Sequence, residues 1–451
     1  MEFKLIFAAA WSKNYSGQDE IYAYLQGVAR KYGLYEQTKF RTEVIRAQWM
    51  GDIQKWQLDW RCTDGSDTDV QTGFFDFVFA GLGPLRIPKI PEQFKSFTGK
   101  AVHTAEWDPT IDFAGKRVAV VGSGASAIQV VPVLTKTVGH LYSYQRTPAW
   151  TLPRNQFSYG KLVKFIFRWF PFVMRFYRFL LYATHESYYV MFGYYNSFIG
   201  RRIHWLFEKL IAFRLKRAGR PDLIPVLTPK FAPGCKRIAK SEEYLEALAQ
   251  TNVTVVPSAV EKVEGTTIID NHGQKNEIDI LVLATGFNVE GFIGNLQIVG
   301  RDNQSLSALW RSEFPKTFKS VTVNGFPNFF LLLGPTSGLG HNSVVSIIEC
   351  QVNFAIELIK RMMKKGVAAV EPKVSSQDAF VSKLQRDMKH TVWNSGCASW
   401  YKNEKGEITG LWSGTVASFW WTLRNPQLSD FIEYKKPLLI SDVKRGRDEE
   451  M

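Results

Sequence analysis

The sequence predicts an α/β chain of doubly wound parallel sheets carrying a helical insertion, and three observations predict it. A tight apolar strand, RVAVVG from Arg117 to Gly122, runs into a glycine-containing turn, an apolar helix through Leu134 and a second strand at His140 to Tyr144, which makes a βαβ unit. The order strand, helix, strand resumes after about residue 240, as an α/β protein requires. Between the two stretches, residues 155–217 are helical in period and crowded with aromatics. At 451 residues, 45% hydrophobic and 22% charged, the chain has the length of two or three domains and the composition of a soluble globular protein. Wholesale disorder, a fibrous repeat and a multi-span membrane protein are excluded on that ground.

Taken in order, residues 19–32, DEIYAYLQGVARKY, place apolar side chains at helical spacing, and the segments through Trp60 and from Phe74 to Phe79 read as short strands joined by Asp-Gly and Gly-Ser turns. In the insertion, as in KFIFRWFPFVMRFYRFLLY, aromatics alternate with arginines, and Pro171 is expected to kink or divide the helix. The aromatic stripe suits packing on the main body. It also suits a basic face that makes a peripheral contact with a membrane surface or lines the tunnel of an apolar substrate. Tyr244 to Ala249 closes a helix, Val253 to Val256 and Ile278 to Ala284 are expected strands, and residues 344–364 form a long amphipathic helix. Lys444 to Glu450 is a charge-rich tail, expected to be a solvated end.

Charge and cysteines narrow the partners. Lys+Arg 56 against Asp+Glu 42 gives +14, which favours anionic partners. No RRM, zinc-finger or helix-turn-helix signature accompanies that charge, so nucleic acid is not an expected partner. Cys62, Cys235, Cys350 and Cys397 are far apart and form no CxxC, so neither a metal site nor a disulfide framework is expected, and a reducing, cytoplasmic setting follows. The opening MEFKLIFAAAW is too short in its apolar part for a signal peptide. The run from Phe165 to Trp205 is broken by Arg168, Arg175, Arg178 and Glu186, so no transmembrane segment is expected.

Gly122-Ser123-Gly124-Ala125-Ser126-Ala127-Ile128 follows one predicted strand and opens one predicted helix, the context of a dinucleotide fingerprint. Gly122 allows the tight turn, Gly124 lets backbone approach a pyrophosphate on the positive helix end, and Ala127 replaces the third glycine. An NAD enzyme would place a carboxylate at the end of the second strand for the ribose 2′-hydroxyl. Here that strand ends Gln145-Arg146-Thr147, a cation and a hydroxyl that suit the 2′-phosphate of NADPH.

Just ahead of this unit stands FTGKAVHTAEWD, from Phe97 through Gly99, His103 and Trp107 to Asp108. It resembles in full the FxGxxxHxxxW(P/D) fingerprint of the Baeyer-Villiger monooxygenases. Further segments resemble that family in its order: QRTPAW from Gln145, GCKR from Gly234, LATGF from Leu283, FPNF from Phe326 with Gly334-Pro335, and WNSGCASWY from Trp393 to Tyr401. The last is most similar to the branch acting on aryl ketones, steroids and fungal polyketides. The resemblance implies two dinucleotide-binding domains, one for FAD and one for NADPH. The FAD domain would comprise residues 1–110 and 286–451, and the NADP domain residues 111–285 with the insertion at 155–217. The implied chemistry is transfer of one oxygen of O2, through a flavin peroxide, to a position beside the carbonyl of a small-molecule ketone that is apolar and bulky.

The resemblance also assigns roles. Arg237 is the cation beside the anionic oxygen species, where an arginine that keeps its proton suits the task. Lys236 joins Arg146 and Thr147 at the 2′-phosphate. His103 and Trp107 couple domain rotation to NADP position, and the backbone of Val44 contacts the FAD adenine. Relatives begin with a separate FAD-binding GxGxxG that this sequence lacks upstream of Gly122, which leaves the FAD domain N-terminally incomplete and leads us to expect weak or no FAD binding. A gene model begun too late, a shortened paralogue or a fragment would each account for it. The competing functions are N- or S-oxygenation and an inactive NADP-binding paralogue.

Overall fold

The computed structural model describes residues 11–65, 69–289, 292–397 and 399–435. Helix α1 (Gln18–Lys31) leads into an antiparallel meander of β1 (Thr42–Met50), β2 (Lys55–Cys62) and β3 (Gln71–Phe75), then β4 (Val78–Ala80) and β5 (Lys100–His103). The βαβ unit is β6 (Arg117–Val121), α2 (Ala127–Leu134) and β7 (His140–Tyr144), followed by the short β8 (Thr151–Leu152). The insertion holds α3 (Lys161–Trp169), α4 (Pro171–Ser187), α5 (Tyr189–Gly193) and α6 (Phe198–Arg217). Next come α7 (Ile224–Leu227), β9 (Ala239–Lys240), α8 (Tyr244–Leu248), β10 (Val253–Val256), β11 (Val260–Glu264), β12 (Thr267–Asp270), β13 (Lys275–Glu277) and β14 (Ile280–Leu283). The remainder is β15 (Gln297–Val299), α9 (Leu306–Ser312), β16 (Phe329–Leu331), α10 (Val344–Lys365), β17 (Val367–Pro372), α11 (Val374–Met388), α12 (Val416–Leu423) and β18 (Phe431–Lys435). The opening segment through Ala10 and the tail from Lys444 to Glu450 lie outside the described residues.

The principal sheet is parallel, in the order β10-β7-β6-β14-β5. Its central strands β6 and β14 are almost wholly apolar because both faces are covered there. The two-residue period assigns side chains to layers. Val118, Val120, Leu141 and Val282 meet α2, α6 and α8 on one face, while Ala119, Tyr144, Leu281 and Leu283 pack toward the β11–β12–β13 sheet on the other. A second region is built from both ends of the chain: β15-β1-β2-β3 form one sheet and β16 pairs parallel with β4, so strands before residue 81 and after residue 296 share cores. Helix α10 packs on β17 and α12 in the adjoining core.

Pro171 divides the insertion as expected, standing at the first position of α4 directly after α3 and Phe170. Packing on the main body accounts for only part of the aromatic stripe. Met174, Phe192, Ile211 and Leu215 are buried, but Trp169, Phe172, Phe176 and Phe179 face outward. Periodicity defines an apolar face; it does not say what covers that face.

The cysteine expectation is corrected. Cys235 and Cys397 form a disulfide, with Cα atoms 6.2 Å apart across a sequence separation of 162, and Cys62 and Cys350 take no part in it. The fold brings the loop before β9 against the loop after α11 in a core with Phe192, Trp393 and Tyr401. Local spacing carries no trace of such a pairing.

Candidate active site

The site begins at the end of β6. Gly122 has φ +126°, a value that strains any L-residue, and a Cβ there would collide with the carbonyl oxygen of Ala284 at the end of β14. Around Gly124, by contrast, the space for a side chain is open. The N–H of Gly122 donates to the carbonyl of Tyr144 at 3.0 Å, and the Ser123 hydroxyl donates to the carbonyl of Thr147 at 2.6 Å, so the turn is pinned to the end of β7. Ala127 and Ile128 are buried against the sheet, and the helical ladder starts with the N–H of Ile128 on the carbonyl of Gly124 at 3.1 Å. The N–H groups of the turn before it are those that a helix cannot satisfy internally, the usual seat of a phosphate.

Lys236 and Arg146 come together beside this turn. Burial pushes the Lys236 ammonium down, and the charge of Arg146 pushes it further in the same direction. The ammonium lies over the ring of Phe231, 5.1 Å from its centroid. Two cations so held are stabilised by an anion that enters between them. The residues therefore fit a dinucleotide with a 2′-phosphate, with Gly124 and the α2 turn at the pyrophosphate.

Arg237, the next residue, is exposed and lines a cavity of about 1210 Å³ with Asn288, Leu333, Gly334, Trp400 and Tyr401. Tyr401 is fully buried, and its hydroxyl is pushed up to about 12 by burial, with the charge of Arg237 pulling the opposite way. It is thus a neutral phenol beside a permanent cation. Tyr401 and Asn288 were not expected as site residues; the only advance signal was that Tyr401 ends the Trp-rich segment. Leu82, Leu85 and Leu339 add apolar wall, so a flat, largely apolar ring such as a flavin fits the cavity with the guanidinium at its edge.

The remaining expected residues lie apart from that cavity. His103 ends β5, is buried, and its Nδ1 accepts from the N–H of Ala105 at 3.1 Å. Burial pushes its imidazole down, against the backbone of Gly286 and the carboxylate of Glu106, which leaves it neutral. Trp107 stacks on Phe113 at 5.4 Å between centroids and is partly exposed. Phe97 is in the core, and Gly99 is required by it: a Cβ at Gly99 would sit 2.8 Å from the Phe97 ring. Val44 is exposed on β1 at a register shift opposite Trp60, and it is not among the residues lining the Arg237 cavity.

Sequence and fold comparisons agree with this geometry. The chain matches the flavin-binding monooxygenase-like family over residues 9–391. It is 35% identical over 427 residues to a Baeyer-Villiger monooxygenase of Streptomyces coelicolor, covering 93% of this chain and 79% of that protein. A Baeyer-Villiger monooxygenase of Pseudomonas aeruginosa is also 35% identical, over 92% of this chain and 76% of that protein. Among solved structures, OTEMO in complex with FAD and NADP has the same fold, with a TM-score of 0.80 at 22% identity, covering 94% of this chain and 86% of that one. A glycine turn on a parallel sheet, a large cavity lined by Arg237 and a match that spans most of the chain have one common explanation: the chain belongs to the flavin-binding monooxygenase-like family.

Proposed function

We propose that this chain is an NADPH- and FAD-dependent monooxygenase of the Baeyer-Villiger type, placing one oxygen atom of O2 between the carbonyl carbon and an adjacent carbon of a bulky apolar ketone. The observation that carries this reading is the adjacency of Lys236 and Arg237: one side chain is half-buried and feels the charge of Arg146, and the next lines the large cavity. One short segment thereby links the nucleotide site to the oxygenation site.

Bound flavin, reduced by NADPH, supplies the activation of O2; one oxygen atom goes to the ketone and the other leaves as water. The chain's own residues do the rest. Arg146, Thr147 and Lys236 hold the 2′-phosphate, and the turn from Gly122 to Ser126 holds the pyrophosphate. Arg237 stabilises negative charge on oxygen at the cavity edge. Tyr401 remains protonated beside it, and the leucine walls exclude water and receive the apolar ketone. His103, neutral and buried, positions the β5 end and takes no proton.

The test is product analysis with the purified chain, FAD, NADPH and isotopically heavy O2, preceded by a visible spectrum to establish flavin retention. An ester or lactone carrying one heavy oxygen is expected from a bulky ketone. Sulfoxide or N-oxide from sulfides or amines, with no ester, would overturn the assignment in favour of heteroatom oxygenation, and bound NADPH with no retained flavin would favour the inactive paralogue. Arg237→Ala is expected to lower ester formation by at least about a thousandfold, the scale of losing an oxyanion-stabilising group. Its NADPH affinity should change by less than about threefold.

A further inference from the structure

We propose that the α3–α4 hairpin is a monotopic docking surface for an anionic lipid bilayer. Trp169, Phe172, Phe176 and Phe179 are 63%, 68%, 62% and 60% exposed, and Leu162 and Phe165 extend the same face along α3. On α4 the outward residues 172, 176 and 179 recur at helical spacing and form a single stripe, while Met174 on the inner side is buried. On α3 the outward residues 162, 165 and 169 do the same. The two helices pack on one another, with the hydroxyls of Tyr159 and Tyr177 3.0 Å apart on the inner side, so the hairpin presents its aromatics as a preformed ridge.

Charge selects the partner. After Asp112 the next carboxylate in the chain is Glu186, and between them the hairpin carries Lys161, Lys164, Arg168, Arg175 and Arg178. An apolar ridge that carries the exposed cations Lys161 and Arg168, with Glu186 turned inward at the far end of α4, complements the interface of a bilayer with negative headgroups. Rings enter the acyl boundary, and the stems of lysine and arginine reach back to the phosphates. The geometry sets the mode: among the described residues no helix is long and apolar enough to cross a membrane, so the hairpin lies in the interface plane. Nothing here depends on the oxygenase assignment.

The experiment is flotation of the purified full chain with vesicles of phosphatidylcholine alone or containing phosphatidylserine at about a third of the lipid. Binding at least tenfold stronger to the anionic vesicles is expected, and weaker binding as salt shortens the screening length. The paired change Phe172→Ser with Phe176→Ser, both at outward positions, should lower partitioning at least tenfold with the thermal midpoint unchanged; a charge variant, Lys161→Glu with Arg168→Glu, both exposed, should abolish the preference for phosphatidylserine. Absence of flotation with either vesicle, or equal flotation of wild type and the phenylalanine variant, overturns the proposal. So does a concentration-dependent dimer, seen by light scattering and lost in that variant, without vesicle binding: the ridge would then belong to a second copy of the chain.

Discussion

The half-buried Lys236 feels the charge of the exposed Arg146, and two like charges held near one another destabilise each other until an anion joins them. On the proposed assignment, the free energy lost in bringing them together would be recovered when a 2′-phosphate binds, and NADH, which lacks that phosphate, would recover none of it. Arg146→Ala should therefore weaken NADPH binding by about 10- to 100-fold, the range of a charge-assisted hydrogen bond, and alter NADH binding by less than about threefold; titration calorimetry with both nucleotides checks it. Arg146 was legible because the fingerprint fixes where the second strand must end. Tyr401 was not, since its relation to Arg237 depends on a loop more than a hundred residues further along the chain.

At the scale of elements, the clearest signals were local ones. The apolar run of β6 and the break at Pro171 depend on neighbours in sequence, and the structure has both where chain chemistry puts them. Gly122→Ala combines a positive φ with a collision against the backbone of Ala284, so a loss of about 2–4 kcal/mol is expected by denaturant unfolding. A different device joins α4 to α12 and leaves no sequence signature. The carboxylate of Glu186 accepts from the N–H groups of Val416 and Ala417 at 3.1 and 3.3 Å, from the Asn342 amide at 2.6 Å, and lies 3.6 Å from His341. Burial alone would raise this carboxyl, but those hydrogen bonds outweigh it and hold it at about 2, against an ordinary value of 4.5. A folded-state value below the unfolded one means that its stabilisation is present above about pH 4.5 and is lost as the pH falls toward 2. Glu186→Gln should lower stability at pH 7 by about 1–3 kcal/mol and flatten the acid limb of a stability-against-pH curve.

At the scale of the molecule, what the sequence could not display is closure over long distances. Cys235 and Cys397 differ by 162 positions, and no spacing rule reaches that far. The disulfide ties the segment holding Lys236 and Arg237 to the loop leading to Tyr401. Reducing it should cost about 2–4 kcal/mol. Thermal unfolding with and without a thiol reductant should show the drop in wild type, and Cys397→Ser should show the same drop with no further response to reductant. The β6–α2–β7 unit and the strands β10 and β14 were readable as short apolar runs, whereas β5, which joins the same sheet, was not read as a strand. That the far ends of the chain share one core was expected from the family resemblance alone, since no local period carries it.

The sheet order has a consequence for biosynthesis. Strand β14 sits between β5 and β6 and bonds to both, yet it is made some 160 residues after β6. Until Ile280 to Leu283 leave the ribosome, β5 has no partner in the principal sheet and β6 has an open edge of unpaired backbone groups. The whole insertion, with its aromatic ridge, is synthesised during that interval. Non-local closure of this kind is slow and exposes edges that pair with other chains. Elongation rate and chaperone supply, more than final stability, should therefore set the yield of folded protein.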